Sequence, residues 1–113
     1  MKVDKELMKG STSLLVLGLL NRKEMYGYEI IKEIEATSNG IFSFKEGTLY
    51  PILHGLEGEG FIESFWKSGE TKRKRKYYSI TKTGKKHLQT KEEEWNLFSN
   101  TVNKVLRGKP VCD

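Results

Sequence analysis

Leu49, Ile52, Leu53 and Leu56 recur at i, i+3, i+4 and i+7. This spacing predicts an amphipathic helix with one apolar face. The other face carries Gly47, Thr48, Tyr50, Pro51 and His54, small or hydrogen-bonding groups without bulky charge. A face of that kind suits close approach to a flat, polar surface. Gly58 and Gly60 end the segment. Two starts compete. With Thr48 as N-cap, Pro51 falls in the first turn, where its missing N–H costs nothing. A capping box of Ser43 and Glu46 puts Pro51 further in, where it kinks the helix.

The rest of the chain falls into place around this helix. Residues 5–21 read as a first helix. Its second half, Leu14 to Leu20, is apolar on nearly every side, which predicts a central buried position. Met25-Tyr26-Gly27-Tyr28 opens a second helix, with Ile30, Ile31 and Ile34 inward and Glu29, Lys32, Glu33 and Glu35 outward. Ser38-Asn39-Gly40 stops it. Ile41-Phe42-Ser43-Phe44 links the second helix to the third and is expected to tuck aromatics into the core.

From Phe61 to Lys67 the period drops to two, and β-branched and aromatic residues become frequent. Ser68 to Thr71 is turn material, and Lys76 to Ile80 is a second strand. Thr81 is a good N-cap for a last helix running to Arg107, with Gly108 and Pro110 at its end. Leu88, Trp95, Phe98, Val102 and Val105 follow a seven-residue repeat along it, broken once by Lys91. At 1.5 Å per residue this helix is roughly 39 Å long, more than a small core requires. The fold class expected is α+β: a winged helix-turn-helix of three helices plus a β-hairpin wing, with a long C-terminal dimerisation helix. The divisions are 1–80 for the winged unit, 81–107 for the dimerisation helix and 108–113 for a tail.

Composition narrows the function. The chain has 113 residues, enough for one domain, and carries 20 Lys and Arg against 15 Asp and Glu. Its one cysteine, Cys112, permits no internal disulfide and fits a reducing compartment. One cysteine with the distant His54 and His87 cannot build a zinc tetrahedron, so no metal and no cofactor are expected. The run from Leu14 to Leu20 is far short of the roughly 20 residues that span a bilayer. It has no basic n-region and small-residue cleavage site around it, so a cytoplasmic protein without membrane contact is expected. No nucleophile with an ordered base and carboxylate, no paired carboxylates and no glycine-rich phosphate loop is present, which argues against an enzyme. His87 is assigned no role.

The sharpest electrostatic feature is the run of five cations, Lys72 to Lys76, on the hairpin. In a strand these side chains alternate between faces, so some must point outward. Next to a helix with a smooth polar face, they predict a duplex-DNA interface: the helix in the major groove, the hairpin on phosphates. A solvated charge run guarding an edge strand is the competing reading. Tyr26 and Tyr28 stand near free N–H groups at a helix start, where a phosphate is welcome, or else pack on the first helix. The long helix predicts a homodimer joined through Leu88, Trp95, Phe98, Val102 and Val105. Trp95 and Phe98 are also candidates to contact a small planar aromatic effector. Two rival functions are a winged module gripping an acidic protein and a small-molecule carrier.

Several runs together resemble one family. They are Tyr26-Gly27-Tyr28-Glu29-Ile30, then Glu46-Gly47-Thr48-Leu49-Tyr50-Pro51 with Leu53, Leu56-Glu57 and Gly60, then Arg75-Lys76-Tyr77-Tyr78, and Thr81 with Gly84. Over about residues 5–107 the chain resembles the PadR family of bacterial transcriptional regulators, in its small form with a single C-terminal helix. The resemblance implies a dimeric winged-helix repressor of a pseudo-palindromic operator that releases DNA when aromatic compounds bind. It implies DNA contacts at Tyr26, Tyr28, Gly47, Thr48, Tyr50, Pro51 and His54, and at the wing cations Lys72, Arg73, Lys74 and Arg75. It also implies that the Trp95 position can stack on planar ligands across the dimer interface.

Overall fold

The computed structural model describes residues 3–68 and 73–108. In chain order the elements are α1 (Lys5–Met8), α2 (Thr12–Leu20), β1 (Met25–Tyr26), α3 (Gly27–Thr37), α4 (Glu46–Gly58), β2 (Ile62–Ser68), β3 (Lys74–Ile80) and α5 (Lys82–Arg107). The turn residues Gly69 to Thr71, the cation Lys72, and Pro110 and Cys112 of the tail lie outside the described residues.

The run that is apolar on every side becomes the centre. Val16 and Leu17 on α2 are fully buried, and α3, α4, α5 and the sheet pack around them. Ile30, Ile31 and Ile34 come in from α3, Leu49, Leu53 and Leu56 from α4, and Phe42 and Phe44 of the link close over the edge. Burying a Leu or Ile side chain stabilises by about 1.5–3 kcal/mol, so these three faces supply most of the cohesion.

Four local expectations change. The single first helix is two: Gly10 takes φ +88°, a left-handed conformation that breaks the helical path between Met8 and Thr12. The opening of the second helix is a strand first, because Met25 and Tyr26 pair with Tyr78 and Tyr77 and add a third strand in the order β1-β3-β2. Strand β3 starts at Lys74 rather than Lys76, because the ladder continues to Ser68↔Lys74. Neither proposed cap starts α4. Lys45 precedes it, its carbonyl accepting from the N–H groups of Thr48 and Leu49 at 3.0 Å each. Ser43 turns instead to the Glu35 carboxylate. Pro51 therefore lies beyond the first turn and leaves the Gly47 carbonyl without its helical donor. Gly47 is exposed, which opens that carbonyl to water.

The helix ends follow the sequence closely. Asn39 and Gly40 take positive φ after α3, Gly60 after α4 and Gly108 after α5. Thr81 caps α5, its hydroxyl accepting from the Gly84 N–H at 3.0 Å while donating to the Gly60 carbonyl at 2.7 Å. This ties the start of α5 to the turn before the wing. His87, given no role above, stacks on Phe61 at 4.0 Å between ring centres and reinforces that joint. Within α5 only Gly84 and Leu88 are buried, so the helix leaves the core after its second turn. It accounts for the long dimension of a chain measuring 58 × 33 × 21 Å.

Candidate nucleic-acid interface

Strand alternation sorts the wing into two faces. Ile62, Ser64, Trp66 and Ser68 share one face with Ile80, Tyr78, Lys76 and Lys74 opposite them. Phe65 and Lys67 share the other with Tyr77 and Arg75, and β1 adds Tyr26 beside Tyr77. On that second face the aromatics hold the cations. Tyr26 and Tyr77 meet edge-on at 5.4 Å, the Arg75 guanidinium lies 4.5 Å over the Tyr26 ring, and Lys67 lies 4.6 Å over Tyr77. Lys67 also donates to Glu24 at 3.0 Å, and this hydrogen bond holds its ammonium above the ordinary lysine range. Among the described residues no ion pair engages Arg73, Lys74 or Arg75.

The start of α3, the start of α4 and the wing surround one open groove of about 570 Å³. It brings together Tyr26 and Tyr28 from the start of α3, Tyr50 from α4, and Arg73, Lys74 and Arg75 from the wing. Those six belong to the set expected from sequence. Gly47, Thr48, Pro51 and His54 stand exposed on α4 outside the groove lining. Lys72 lies outside the described residues.

Tyr26 packs on the sheet rather than on the first helix, while Tyr28 is half exposed with the Lys32 ammonium 5.3 Å from its ring. Neither α3 nor α4 has a side-chain cap on its first N–H groups, so both helix starts offer free donors with a positive dipole end.

The groove also contains residues outside the expected contact set: Gly27, Glu46, Trp66, Lys76 and Tyr78. Gly27 is small for a reason, since a Cβ there would stand 2.7 Å from the Tyr50 hydroxyl. The Tyr50 ring thus lies over the start of α3, against the Gly27 backbone. A small residue between two tyrosines was the available signal. Glu46 puts a carboxylate among cations, a group able to accept from a cytosine amino group and to repel a phosphate. Tyr78 is buried, and burial pushes its phenol up, with the Glu57 carboxylate adding to the shift.

The expected dimer seam divides. Trp95, Phe98, Val102 and Val105 are exposed at 46%, 62%, 37% and 72%. The Trp95 and Phe98 rings stand 6.2 Å apart. Leu88 is corrected: at 4% exposure it belongs to the core of its own chain and has no apolar surface left to offer a second copy. Leu106, on the same side and 77% exposed, extends the stripe instead, whereas Leu97 falls roughly opposite at about 100° per residue. A second concavity of about 460 Å³ lies between α2, the end of α3 and α5, lined by Leu14, Gly18, Ile34, Phe42 and Leu88 among others, with neither Trp95 nor Phe98 in its wall.

A family model described as "Transcriptional regulator PadR-like family" matches residues 16–90. The chain belongs to this PadR-like family. It is 36% identical over 94 residues to the negative transcriptional regulator PadR of Bacillus subtilis, an alignment covering 83% of this chain and 50% of that protein. The chain thus spans half the length of that relative. A crystal structure of a PadR-like transcriptional regulator from Bacillus cereus superimposes with TM-score 0.82 at 32% identity, over 93% of this chain and all of that one. A transcriptional regulator from Clostridium thermocellum superimposes with TM-score 0.81 at 38% identity, over 88% of this chain and 97% of that one. PadR-family proteins are DNA-binding transcriptional regulators, not enzymes. The helices, wing and long C-terminal helix described above are the winged-helix architecture of these neighbours. Among the described residues no helix is long and apolar enough to cross a membrane.

Proposed function

We propose that this PadR-like chain is a repressor that binds a pseudo-palindromic operator as a homodimer and acts in the cytoplasm, where the promoter lies. Residues 1–80 read the DNA, and residues 81–107 join the two copies. α4 enters a major groove with Thr48, Tyr50, Pro51 and His54 foremost and Gly47 allowing close approach. Tyr26, Tyr28 and the cations from Lys72 to Arg75 hold the flanking backbone. Two-fold symmetry then sets half-sites about 10 base pairs apart, or a multiple of that. The observation that supports this reading most is the single groove in which three tyrosines from two helix starts meet Arg73, Lys74 and Arg75 of the wing. The repressor assignment follows the printed name of the Bacillus subtilis relative.

The test is a fluorescence-anisotropy titration with duplex DNA at two salt concentrations. Removing Arg73 and Arg75 together as alanines deletes up to four phosphate contacts per dimer. The slope of log K against log salt should flatten by up to about 3.6, and affinity should fall for every sequence alike. An unchanged slope would take the wing out of the interface. Tyr50→Phe keeps the ring over Gly27 and removes only the hydroxyl. It should lower the ratio of operator to non-specific affinity about tenfold per half-site, and so about a hundredfold for the dimer, the effect of one lost base contact of about 1–3 kcal/mol in each copy. Equal losses on both kinds of DNA would show that Tyr50 does not read bases.

We further propose that a small planar aromatic effector stacks between the Trp95 and Phe98 rings of the two copies. The support is the exposure of both rings on the face that the proposed dimer covers. The same titration detects such an effector as release of the duplex.

A further inference from the structure

Trp66 is 66% exposed, yet it sits in the middle of a paired strand. Exposed apolar side chains are common singly, but an indole is a large surface to leave in water. Its place in the sheet explains the exposure. On its face of the hairpin the first two rungs, Ile62 with Ile80 and Ser64 with Tyr78, run from the core to its edge. Trp66 occupies the next rung, one step past the end of that core, with Lys76 directly opposite and Lys74 on the rung beyond. The aromatics on the reverse face are handled differently: Tyr77 is buried, stacked on Phe65 and covered by Lys67. Among the described residues Trp66 has no such cover, and it lines the same groove as Tyr28 and Tyr50.

An apolar plate flanked by cations complements one surface well, a deoxyribose edge between two phosphates. We propose that Trp66 is a DNA contact of the wing, its indole lying against the sugars of the minor groove while Lys74 and Lys76 on the same face meet the phosphates to either side. The inference rests on the DNA-binding reading above. It adds a contact of a different physical kind. The cations act by displacing counterions, so their contribution falls with salt. The indole acts by leaving water and stacking, which salt hardly touches and base sequence hardly alters.

The two kinds of contact separate experimentally. Wild-type protein and the Trp66→Ala and Trp66→Phe variants are titrated with a mixed-sequence duplex long enough to span two half-sites, over a range of salt. Trp66→Ala should weaken binding about tenfold per half-site, and so about a hundredfold for the dimer, the equivalent of one lost aromatic contact of about 1–3 kcal/mol in each copy, and Trp66→Phe by less. The slope of log K against log salt should stay that of the wild type. In parallel, wild-type chain labelled with 5-fluorotryptophan gives a fluorine resonance for Trp66, assigned by its absence from Trp66→Phe, and that resonance should shift when the duplex is added. Full affinity in Trp66→Ala with an unmoved resonance overturns the contact while leaving DNA binding intact. A changed salt slope in Trp66→Ala also overturns it, because the indole would then be acting through its lysine neighbours. Wild-type protein that ignores the duplex at low salt removes the DNA-binding reading, and this inference with it.

Discussion

Replacing Phe98 and Val102 together with glutamate should separate the two copies and lower operator affinity about 10²–10⁴-fold, the usual gain from linking two binding events. The reasoning begins with the path of α5. After Leu88 nothing on this helix is buried, yet Trp95, Phe98, Val102, Val105 and Leu106 keep an apolar stripe along it. In the proposed assembly the matching stripe of a second copy covers it. Two carboxylates placed mid-stripe would have to leave water without partners, which costs far more than the apolar contact returns. The core is spared, because its residues end at Leu88 on this helix. The variant should therefore keep its helix content while sedimenting as a single chain. A monomer that still binds operator at full strength would mean that α5 does not set the spacing of the reading heads. A variant that remains dimeric would move the interface elsewhere.

The second large effect concerns folding. Gly84→Ala should cost about 3 kcal/mol or more, a large part of the roughly 5–15 kcal/mol that holds a domain of this size. A Cβ at Gly84 would be driven onto the Phe61 carbonyl oxygen and would stand 2.8 Å from Ile80 Cγ1. The carbonyl cannot retreat easily, since it accepts from the Thr81 N–H at 3.0 Å. Thr81 in turn binds Gly60 and Gly84, so the whole joint between α4, the wing and α5 would have to open. Gly55→Ala is the matched control. It lies inside α4 with open space where the Cβ would go, and it should raise stability by about 0.5–1 kcal/mol through the backbone alone. Urea unfolding measures both. Equal midpoints for Gly84→Ala and the wild type would show that the joint is not close-packed.

Both predictions turn on features that were unequally visible in the sequence. Thr81 and Gly108 bounded α5 correctly because a cap acts on residues two to four places away. The apolar repeat along α5 was equally plain, but it carried Leu88 into the seam with the others. Periodicity identifies a face and leaves open what covers it. Leu88 is covered by its own chain and Phe98 is not, a difference set by where α5 leaves the core. The Gly84 joint was visible only as a residue type; what it touches is a carbonyl 23 places earlier.

The candidate interface divides in the same way. The smooth face of α4 and the cation run of the wing could be read directly, since each is a pattern within a dozen residues. Glu46, Trp66 and Tyr78 could not, because nothing local distinguishes a groove wall from ordinary surface.

Sequence by itself determined the buried position of α2, the apolar faces of α3 and α4, the stop signals at Asn39, Gly40 and Gly60, and the charge of the wing. These depend on helical or strand period and on backbone preference, forces that act over a few residues. Tertiary structure alone decided that Met25 and Tyr26 form a strand and that Arg75 lies over Tyr26. It also decided that Trp66 faces the groove and that Leu88 belongs to the core. Each of those depends on pairing between distant segments, such as Met25 with Tyr78, whose register is set by the packing of the whole sheet against α2 and α3.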